Sequence, residues 1–190
     1  MATCLVVLAP GAEEIELITV ADVLVRGGNQ VTVASAVDLL PVMGSRGLPL
    51  AAHTSLATVR DQSFDLVYLP GGKGSSEFCR DDATIQDLAE GQLAAGRYLA
   101  VICASPIALV PRGLCAGRTL TSYPAARAQV EPHCAAWLDQ AVVIDRNLVT
   151  SQSAGSAMHL ALSLVRLLNG DDTARQVAAA LVIPPTPATP

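Results

Sequence analysis

The chain has 190 residues, of which 51% are apolar, 15% charged and 3% aromatic. Its 12 basic and 17 acidic side chains give a formal net charge of −5, and Lys73 is the only lysine. Soluble domains are typically about 25% charged, so this composition indicates one domain with an extensive buried core. Clustered cations supply affinity for nucleic acids and anionic membranes, so the charge argues against both as partners.

The first apolar region argues against a membrane span and a signal peptide. No stretch reaches the roughly 18 uninterrupted apolar residues of a span, and Glu13, Glu14 and Glu16 stand where a signal peptide would continue. The five cysteines are odd in number and none has C-x-x-C spacing, which argues against a disulfide framework and a zinc site. We therefore expect a cytosolic (cytoplasmic) protein with free thiols and no bound metal or cofactor.

The first predicted elements form a strand, helix, strand unit. Residues 3–9 are an apolar, β-branched strand that a Pro-Gly pair ends. Residues 13–26 fit a helix, because acidic side chains occupy its first turn and two glycines follow it. Residues 30–35 are the next strand. Such a unit predicts a right-handed crossover and a parallel sheet.

The rest of the chain continues the alternation of strands and helices. Residues 41–51 carry Gly and Pro among apolar positions and predict an edge hairpin. The other predicted strands are residues 64–69, 98–102, 119–122 and 141–150, the last with a turn at 145–147, and the other predicted helices are residues 82–93, 106–110, 155–168 and 172–180. The pattern predicts a single α/β domain, residues 1–182, with a mostly parallel central sheet. Residues 183–190, rich in proline, are expected to be a disordered tail.

Cys103 is the best candidate nucleophile. Ligands of an open parallel sheet bind beyond the carboxyl ends of its strands. Cys103 lies there, between a buried strand and a helix-forming segment whose N–H groups would stabilise a thiolate. The alternative is a small buried apolar side chain, which is the usual fate of a free cysteine. We interpret Cys4, Cys115 and Cys134 in that way, and Cys79, in a polar stretch, as an exposed thiol without a catalytic role.

Glu16 is the candidate acid/base. The residues three, four and seven positions after it form a stripe that should face other structure, so we expect the Glu16 carboxyl to be desolvated. Desolvation raises the pKa of a carboxyl and lets it stay protonated, so that it can donate a hydrogen bond to a thiolate. Glu13 and Glu14 are interpreted only as favourable charges at a helix N-terminus.

Gly71 and Gly72 follow a buried strand and have two interpretations. They can form a tight turn, or they can let backbone N–H groups approach a substrate. In the second case the N–H groups of Gly72 and Ala104 form an oxyanion hole. Neither G-x-x-x-x-G-K-[ST] nor G-x-G-x-x-G occurs, which argues against a phosphate-binding loop.

The histidines and two arginines are less informative. His53, His133 and His159 do not follow the carboxyl end of a predicted strand, so we interpret them as structural or solvated. Arg26 and Arg46 can steer an anionic group toward the site, or can be ordinary surface or interface charges.

Five motifs in this order resemble the ThiJ/PfpI superfamily. They are GAEEIE (11–16), LPGG (69–72), VICASP (101–106), TSYP (121–124) and LVTSQ (148–152). Within the superfamily the chain is most similar to the parkinsonism-associated protein deglycase subfamily, in its bacterial YajL-like branch. The resemblance extends to about residue 182, and the combination of motifs is specific.

The resemblance implies a flavodoxin-like three-layer sandwich that is usually a homodimer, with a reactive cysteine at a strained strand-to-helix turn. Carried over by motif, that cysteine is Cys103, and Glu16 is the protonated glutamate beside it. Gly72 and Ala104 supply the backbone donors, and the two arginines named above correspond to arginines near the site or the dimer contact.

Two departures from the family pattern affect the expected pocket. Animal relatives have a histidine where this chain has Tyr123, so a Cys–His pair at that position is absent. A bacterial relative also has an aromatic residue there. The Gly-Pro-Gly turn of the family is replaced by Ser153, Ala154 and Gly155, which changes one pocket wall.

Two functions therefore compete. The first is a cofactor-free glyoxalase or protein deglycase that acts on methylglyoxal, a small aldehyde, or on its early glycated adducts. The second is a stress-response sensor and chaperone that binds unfolded client proteins and whose Cys103 is oxidised to a sulfinic acid. A cysteine peptidase is disfavoured, because no histidine is expected beside Cys103.

Overall fold

A seven-stranded sheet runs through the middle of the molecule. The structure, a computed structural model, describes residues 1–38 and 41–183. Its strands are β1 (Thr3–Leu8), β2 (Gln30–Ser35), β3 (Val42–Met43), β4 (Pro49–Leu50), β5 (Thr54–Ser55), β6 (Leu66–Leu69), β7 (Tyr98–Ile102), β8 (Thr119–Leu120), β9 (Ala136–Trp137), β10 (Val142–Asp145) and β11 (Leu148–Ser151). The order in the main sheet is β10-β11-β7-β6-β1-β2-β5, and all neighbours are parallel except β10 and β11.

Helices cover both faces of this sheet. The α-helices are α1 (Glu14–Arg26), α2 (Leu56–Val59), α3 (Lys73–Asp81), α4 (Ala83–Ala94), α5 (Arg127–Val130), α6 (Ala157–Asn169) and α7 (Asp171–Ala180). In β1, Val6 and Leu8 pack in the cluster that contains the buried sides of α1 and α6. Leu5 and Val7, which point to the opposite face, pack in the cluster that contains α2 and α4. This confirms the predicted three-layer α/β sandwich with a mostly parallel sheet.

The predicted hairpin at residues 41–51 exists but does not lie at the edge of the main sheet. Strands β3 and β4 form a separate antiparallel pair, and the sheet edge beside β2 is β5. The predicted turn at 145–147 joins β10 and β11 in an antiparallel hairpin, as expected. The predicted strand at 119–122 is only β8, which pairs with β9 outside the main sheet.

Helix α3 was not predicted from the sequence, because its first turn contains Gly74, Ser75 and Ser76, which have low helix propensity. Both serines are fully buried. The Ser76 hydroxyl donates to the carbonyl oxygen of Gly72 at 2.8 Å. This bond gives the buried hydroxyl a partner and ties the helix to the loop before it. Cys79 lies on the buried side of α3, so the prediction of an exposed thiol there was wrong.

Two other helical segments differ from expectation. Residues 106–110 form part of a 3₁₀ helix, Ser105–Leu109, rather than an α-helix. Helix α6 begins two residues later than predicted, after a 3₁₀ turn at Ala154–Ser156, and it buries one side rather than its whole surface.

The C-terminal end of the predicted domain lies at the limit of the described residues. The expected tail lies outside the described residues, apart from Ile183, so the boundary at residue 182 stays a prediction. Within the described part of the chain, no helix combines the length and apolar character needed to cross a membrane.

Candidate active site

Cys103 occupies a strained position at the end of β7. Its backbone φ is +64°, in the left-handed region that costs a non-glycine residue about 1–3 kcal/mol. Hydrogen bonds on both sides hold it there: its N–H donates to the carbonyl oxygen of Ser151 at 2.9 Å, and its carbonyl oxygen accepts from the N–H of Tyr123 at 2.7 Å. The side chain is partly buried. The strand end therefore presents the thiol in one fixed direction.

Glu16 reaches the same place from the first turn of α1. The side chain is fully buried, which confirms the predicted desolvation. Its Oε2 atom accepts a hydrogen bond of 2.8 Å from the N–H of Gly71. Its Oε1 atom has no hydrogen-bond partner among the described residues. One oxygen of this carboxyl is thus held in place, and the other is available for a proton or a ligand.

Only the backbone of Gly71 lies between the side chains of Glu16 and Cys103. A Cβ atom at this position would lie 2.4 Å from Glu16 Oε2 and 2.5 Å from Cys103 Cβ. Both distances are far shorter than a van der Waals contact, so any side chain here would displace the carboxyl, the cysteine or both. The first glycine of LPGG is therefore required for the contact between the two candidate catalytic side chains.

Gly72 and Ala104, the backbone donors predicted from the sequence, both line the cavity beside Cys103. Their backbone N–H groups lower the pKa of the Cys103 thiol. Gly72 has φ of +91°, and a Cβ atom there would lie 2.2 Å from the carbonyl oxygen of Gly11. Close approach to the loop after β1 therefore excludes a side chain at this position. An anionic atom bonded near the sulfur would meet the same two donors.

A buried hydroxyl network fixes the loop after β6 to the turn after β7. Ser105 Oγ donates to the carbonyl oxygen of Pro70 at 2.6 Å and lies 3.1 Å from Ser76 Oγ. Ser76 in turn donates to Gly72. The network joins the loop that carries Gly72 to the segment that carries Cys103.

Burial raises the pKa of Glu16 to about 7, and the charge of Glu13 acts in the same direction. The N–H of Gly71, the Cys103 thiol and the N–H of Ala154 lower this pKa, but burial outweighs them. A carboxyl that titrates near neutral pH can both accept and return a proton during a reaction.

The Cys103 thiol does not have the lowered pKa that its position led us to expect. Burial, followed by the negative charge of Glu16, raises its pKa to about 12. The donors Gly72 and Ala104 lower the pKa but do not compensate. The resting side chain is therefore a thiol, and its proton must leave when the sulfur reacts. The Glu16 carboxyl lies beside the thiol.

Glu14 has a role that the sequence did not reveal. Its carboxylate accepts hydrogen bonds from Ser45 Oγ (3.1 Å), Arg46 N (2.7 Å) and Leu48 N (3.3 Å), all in the β3–β4 hairpin. Burial opposes ionisation, but these hydrogen bonds prevail and hold the pKa of Glu14 below its usual value. A Cβ at Gly44 would lie 2.3 Å from the carboxylate. Glu14 thus fixes the hairpin against α1.

A cavity of about 360 Å³, here called the Cys103 cavity, opens beside the thiol. Its lining includes the four predicted residues Cys103, Glu16, Gly72 and Ala104, the predicted pocket residues Tyr123 and Arg46, and also Glu13, Ser45, Lys73, Ser153 and Ala154. Ser153 and Ala154 belong to the turn that replaces the Gly-Pro-Gly turn of the family, so this turn does form one wall of the cavity. Among the residues that the structure describes, no histidine lines this cavity.

Arg26 is not part of the Cys103 cavity, so its assignment to the pocket was wrong. It is the last residue of α1 and pairs with Asp22 at 2.8 Å. Ten residues separate it from Glu16, which corresponds to about 15 Å along a helix. No group of three side chains suited to hold a metal ion occurs within the described part of the chain.

The raised pKa of Glu16 predicts a pH-dependent stability. Glu16 holds its proton to higher pH in the folded chain, so its stabilising contribution is complete below pH 4.5 and is lost as pH rises through about 7. Gln at this position cannot lose a proton. The free energy of unfolding of Glu16→Gln relative to wild type should increase by about 3 kcal/mol over this range. Urea titrations at several pH values measure it, and a difference independent of pH would contradict it.

The steric requirement at Gly71 predicts that Gly71→Ala and Gly91→Ala change the free energy of unfolding in opposite directions. Gly71→Ala should lower the free energy of unfolding by about 1–3 kcal/mol through overpacking, and should change the alkylation rate of Cys103. Gly91 lies in α4, where a Cβ would meet no described atom within 4 Å beyond its chain neighbours and the nearby helix backbone, so Gly91→Ala should stabilise the protein by up to about 1 kcal/mol. Denaturant titration and peptide mass spectrometry test both. Equal effects of the two variants would refute the requirement.

Comparisons with known proteins identify the family. The model of the DJ-1/PfpI family matches residues 2–167. Protein dj-1beta of Drosophila melanogaster is 40% identical over 181 residues, which cover 95% of this chain and 97% of that protein. Its crystal structure superposes with a TM-score of 0.94 and covers 97% and 99% of the two chains.

Two further relatives extend this likeness. The Caenorhabditis elegans protein named glutathione-independent glyoxalase DJR-1.2 is 34% identical over 171 residues, or 90% of each chain. The structure titled Toxoplasma gondii DJ-1, oxidized, has a TM-score of 0.91 and 33% identity, and it covers 96% of this chain and 98% of that one. The chain belongs to the DJ-1/PfpI family.

Proposed function

We propose that this protein is a cofactor-free glyoxalase that converts α-oxo aldehydes such as methylglyoxal to 2-hydroxy acids. The observation that carries the proposal is the pairing of the partly buried Cys103 thiol with the buried Glu16 carboxyl, whose pKa is about 7, beside an open cavity. The name of the nematode relative, a glutathione-independent glyoxalase, supports the same chemistry.

In the first step Cys103 Sγ bonds to the aldehyde carbon while the thiol proton passes to Glu16. The aldehyde oxygen becomes an oxyanion that the N–H groups of Gly72 and Ala104 stabilise, and protonation gives a hemithioacetal. This step needs a base at the thiol, because burial keeps the sulfur protonated. In this proposal Glu16 Oε1, which has no hydrogen-bond partner among the described residues, receives that proton.

In the second step Glu16 transfers a proton between the two adjacent carbons. Removal from the former aldehyde carbon and return to the former ketone carbon oxidises the first and reduces the second, so no external oxidant is needed. The product is a thioester on Cys103. Water then adds to its carbonyl carbon, the sulfur leaves as the thiol, and lactate is released from methylglyoxal.

Two cations line the cavity where the carboxylate of the product forms. Arg46 and Lys73 both belong to the lining. Neither forms a salt bridge with another described residue. In a chain with net charge −5, their position favours attraction of an anionic product or substrate group. Deglycation of early methylglyoxal adducts would use the same residues, because an adduct in equilibrium with its aldehyde presents the same carbonyl.

Incubation with methylglyoxal, without glutathione or metal, tests the proposal through lactate formation. Cys103→Ser should abolish turnover, because no thioester can form. Glu16→Gln should lower kcat by about 10²–10⁴-fold, the usual contribution of a general acid–base. The wild-type kcat/KM should rise with pH around 7 as Glu16 ionises.

Matched substitutions elsewhere serve as controls. Cys134 is also partly exposed, so Cys134→Ser should retain full turnover. Glu90, which lies in the exposed pair with Arg112, provides the corresponding Glu→Gln control. Lactate formation that survives in Cys103→Ser, or its absence from folded wild-type protein, would refute the glyoxalase proposal.

A redox sensor is the second candidate function. Cys103 is partly exposed, whereas Cys4, Cys79 and Cys115 are fully buried. Peroxide reacts with a thiolate, so the oxidation needs the same proton transfer to Glu16. Two peroxide molecules would each transfer one oxygen atom to sulfur, giving first a sulfenic and then a sulfinic acid. The glutamate would then hydrogen-bond to the oxidised sulfur, and client binding by a chaperone would follow this modification.

Mass spectrometry after mild peroxide treatment tests this second function. We expect the sulfinic acid to form first on Cys103 in the wild type, and several-fold more slowly in Glu16→Gln. Oxidation of all five cysteines to the same extent would contradict a sensor function centred on Cys103.

A cysteine peptidase and a homodimer are the two remaining expectations from the sequence. The absence of histidine from the Cys103 cavity gives a peptidase no general base of the usual kind. The homodimer remains a prediction, and the surface that supports it is the exposed apolar side of α1 and the hairpin, formed by Ile15, Ile18, Val25, Met43 and Leu48. A solution mass of a single chain would contradict it.

A further inference from the structure

A second cavity, here called the side cavity, adjoins the Cys103 cavity. Its volume is about 310 Å³, and Lys73, Ala104 and Tyr123 line both cavities. Ligand pockets begin at about 300 Å³, so the side cavity is large enough for part of a small molecule. The Cys103 chemistry described above makes no use of it.

Ala104 lies on the wall that the two cavities share. Its N–H group acts on the Cys103 sulfur, so a substrate carbon bonded to Sγ lies next to the shared wall. The backbone of Tyr123 is fixed on the same side by its hydrogen bond to the carbonyl oxygen of Cys103. A substituent on the bound carbonyl compound therefore has a short path past Tyr123 into the side cavity.

Part of the wall of the side cavity is apolar and buried. Ile107 and Ala126, which form this part, are 6% and 4% exposed and pack in the core cluster that contains α2 and α4. Ala125 adds a short apolar side chain from the 3₁₀ helix Pro124–Ala126. Glu77 and Lys73 also belong to the lining, and their opposite charges give a charged substituent no net attraction. These walls suit a neutral, branched hydrocarbon group.

We propose that the side cavity binds the apolar substituent of an α-oxo aldehyde larger than methylglyoxal, and that Ala125 determines how large this substituent can be. The inference rests on the proposed function and names its substrate class: R–CO–CHO in which R is an aliphatic group of several carbons. The methyl group of methylglyoxal leaves the side cavity unfilled. An isobutyl group buries its carbons against Ile107, Ala125 and Ala126, and such burial strengthens binding.

The test compares methylglyoxal with 4-methyl-2-oxopentanal, which takes up water to give 2-hydroxy-4-methylpentanoate. For the wild type, kcat/KM should be about tenfold or more higher for the branched substrate, mainly through a lower KM. In Ala125→Phe the added ring fills the side cavity, and the ratio of the two kcat/KM values should fall about tenfold. Gln129→Phe narrows the same cavity from the exposed surface of α5 and should lower the ratio in the same direction.

Ala128→Phe is the matched control, because Ala128 is exposed on α5 and lines neither cavity. It should keep the wild-type ratio. Turnover of methylglyoxal without preference for the branched substrate would overturn the side-cavity inference and leave the glyoxalase proposal intact. An equal change of the ratio in Ala125→Phe and Ala128→Phe would also overturn it. No turnover of either substrate by the wild type would overturn both.

Discussion

The candidate site depends on a stretch of backbone that carries no side chain. Gly71 lies between Glu16 and Cys103, where a Cβ atom would be within 2.5 Å of both side chains, and its N–H holds one oxygen of the carboxyl. This one residue therefore does two things: it permits the approach of the acid to the thiol and it orients the acid. The left-handed backbone of Cys103 and the hydroxyl network of Ser76 and Ser105 matter because they bring the thiol to this gap.

The energetic consequence is a pair of groups that both resist ionisation. Burial raises the pKa of Glu16 to about 7 and that of Cys103 to about 12, and the charge of Glu16 adds to the rise at Cys103. A proton shared by such a pair is easily transferred when the sulfur bonds to an electrophile, because bond formation removes the second charge. Glyoxalase chemistry and peroxide oxidation both require this transfer. The glyoxalase proposal has the stronger structural support, since it also uses the cavity beside the thiol and the cations Arg46 and Lys73.

The sequence predicted those parts of the site that follow from strand ends and helix periodicity. Cys103 stands at the end of a continuous apolar strand, and the apolar stripe after Glu16 indicated its burial. Long-range packing determined the rest. Glu14 looked like a simple helix-terminus charge, since nothing in the local pattern shows that the hairpin returns to it. Helix α3 was missed because tertiary hydrogen bonds, rather than propensity, stabilise its serine-rich first turn. The pKa of Cys103 was misjudged because burial of the thiol, which raises this pKa most, follows from tertiary packing and cannot be read from spacing along the chain.

The central claim is that Cys103 becomes covalently bonded to the substrate and that Glu16 then moves the proton. Acid quenching after a few turnovers with methylglyoxal, followed by peptide mass spectrometry, tests it directly, because a thioester survives acid whereas a hemithioacetal dissociates. The account predicts that the peptide containing Cys103 gains the mass of one methylglyoxal in the wild type, and that Glu16→Gln shows no such adduct. Lactate production during which the Cys103 peptide stays unmodified, or an equal adduct in Glu16→Gln, would contradict it.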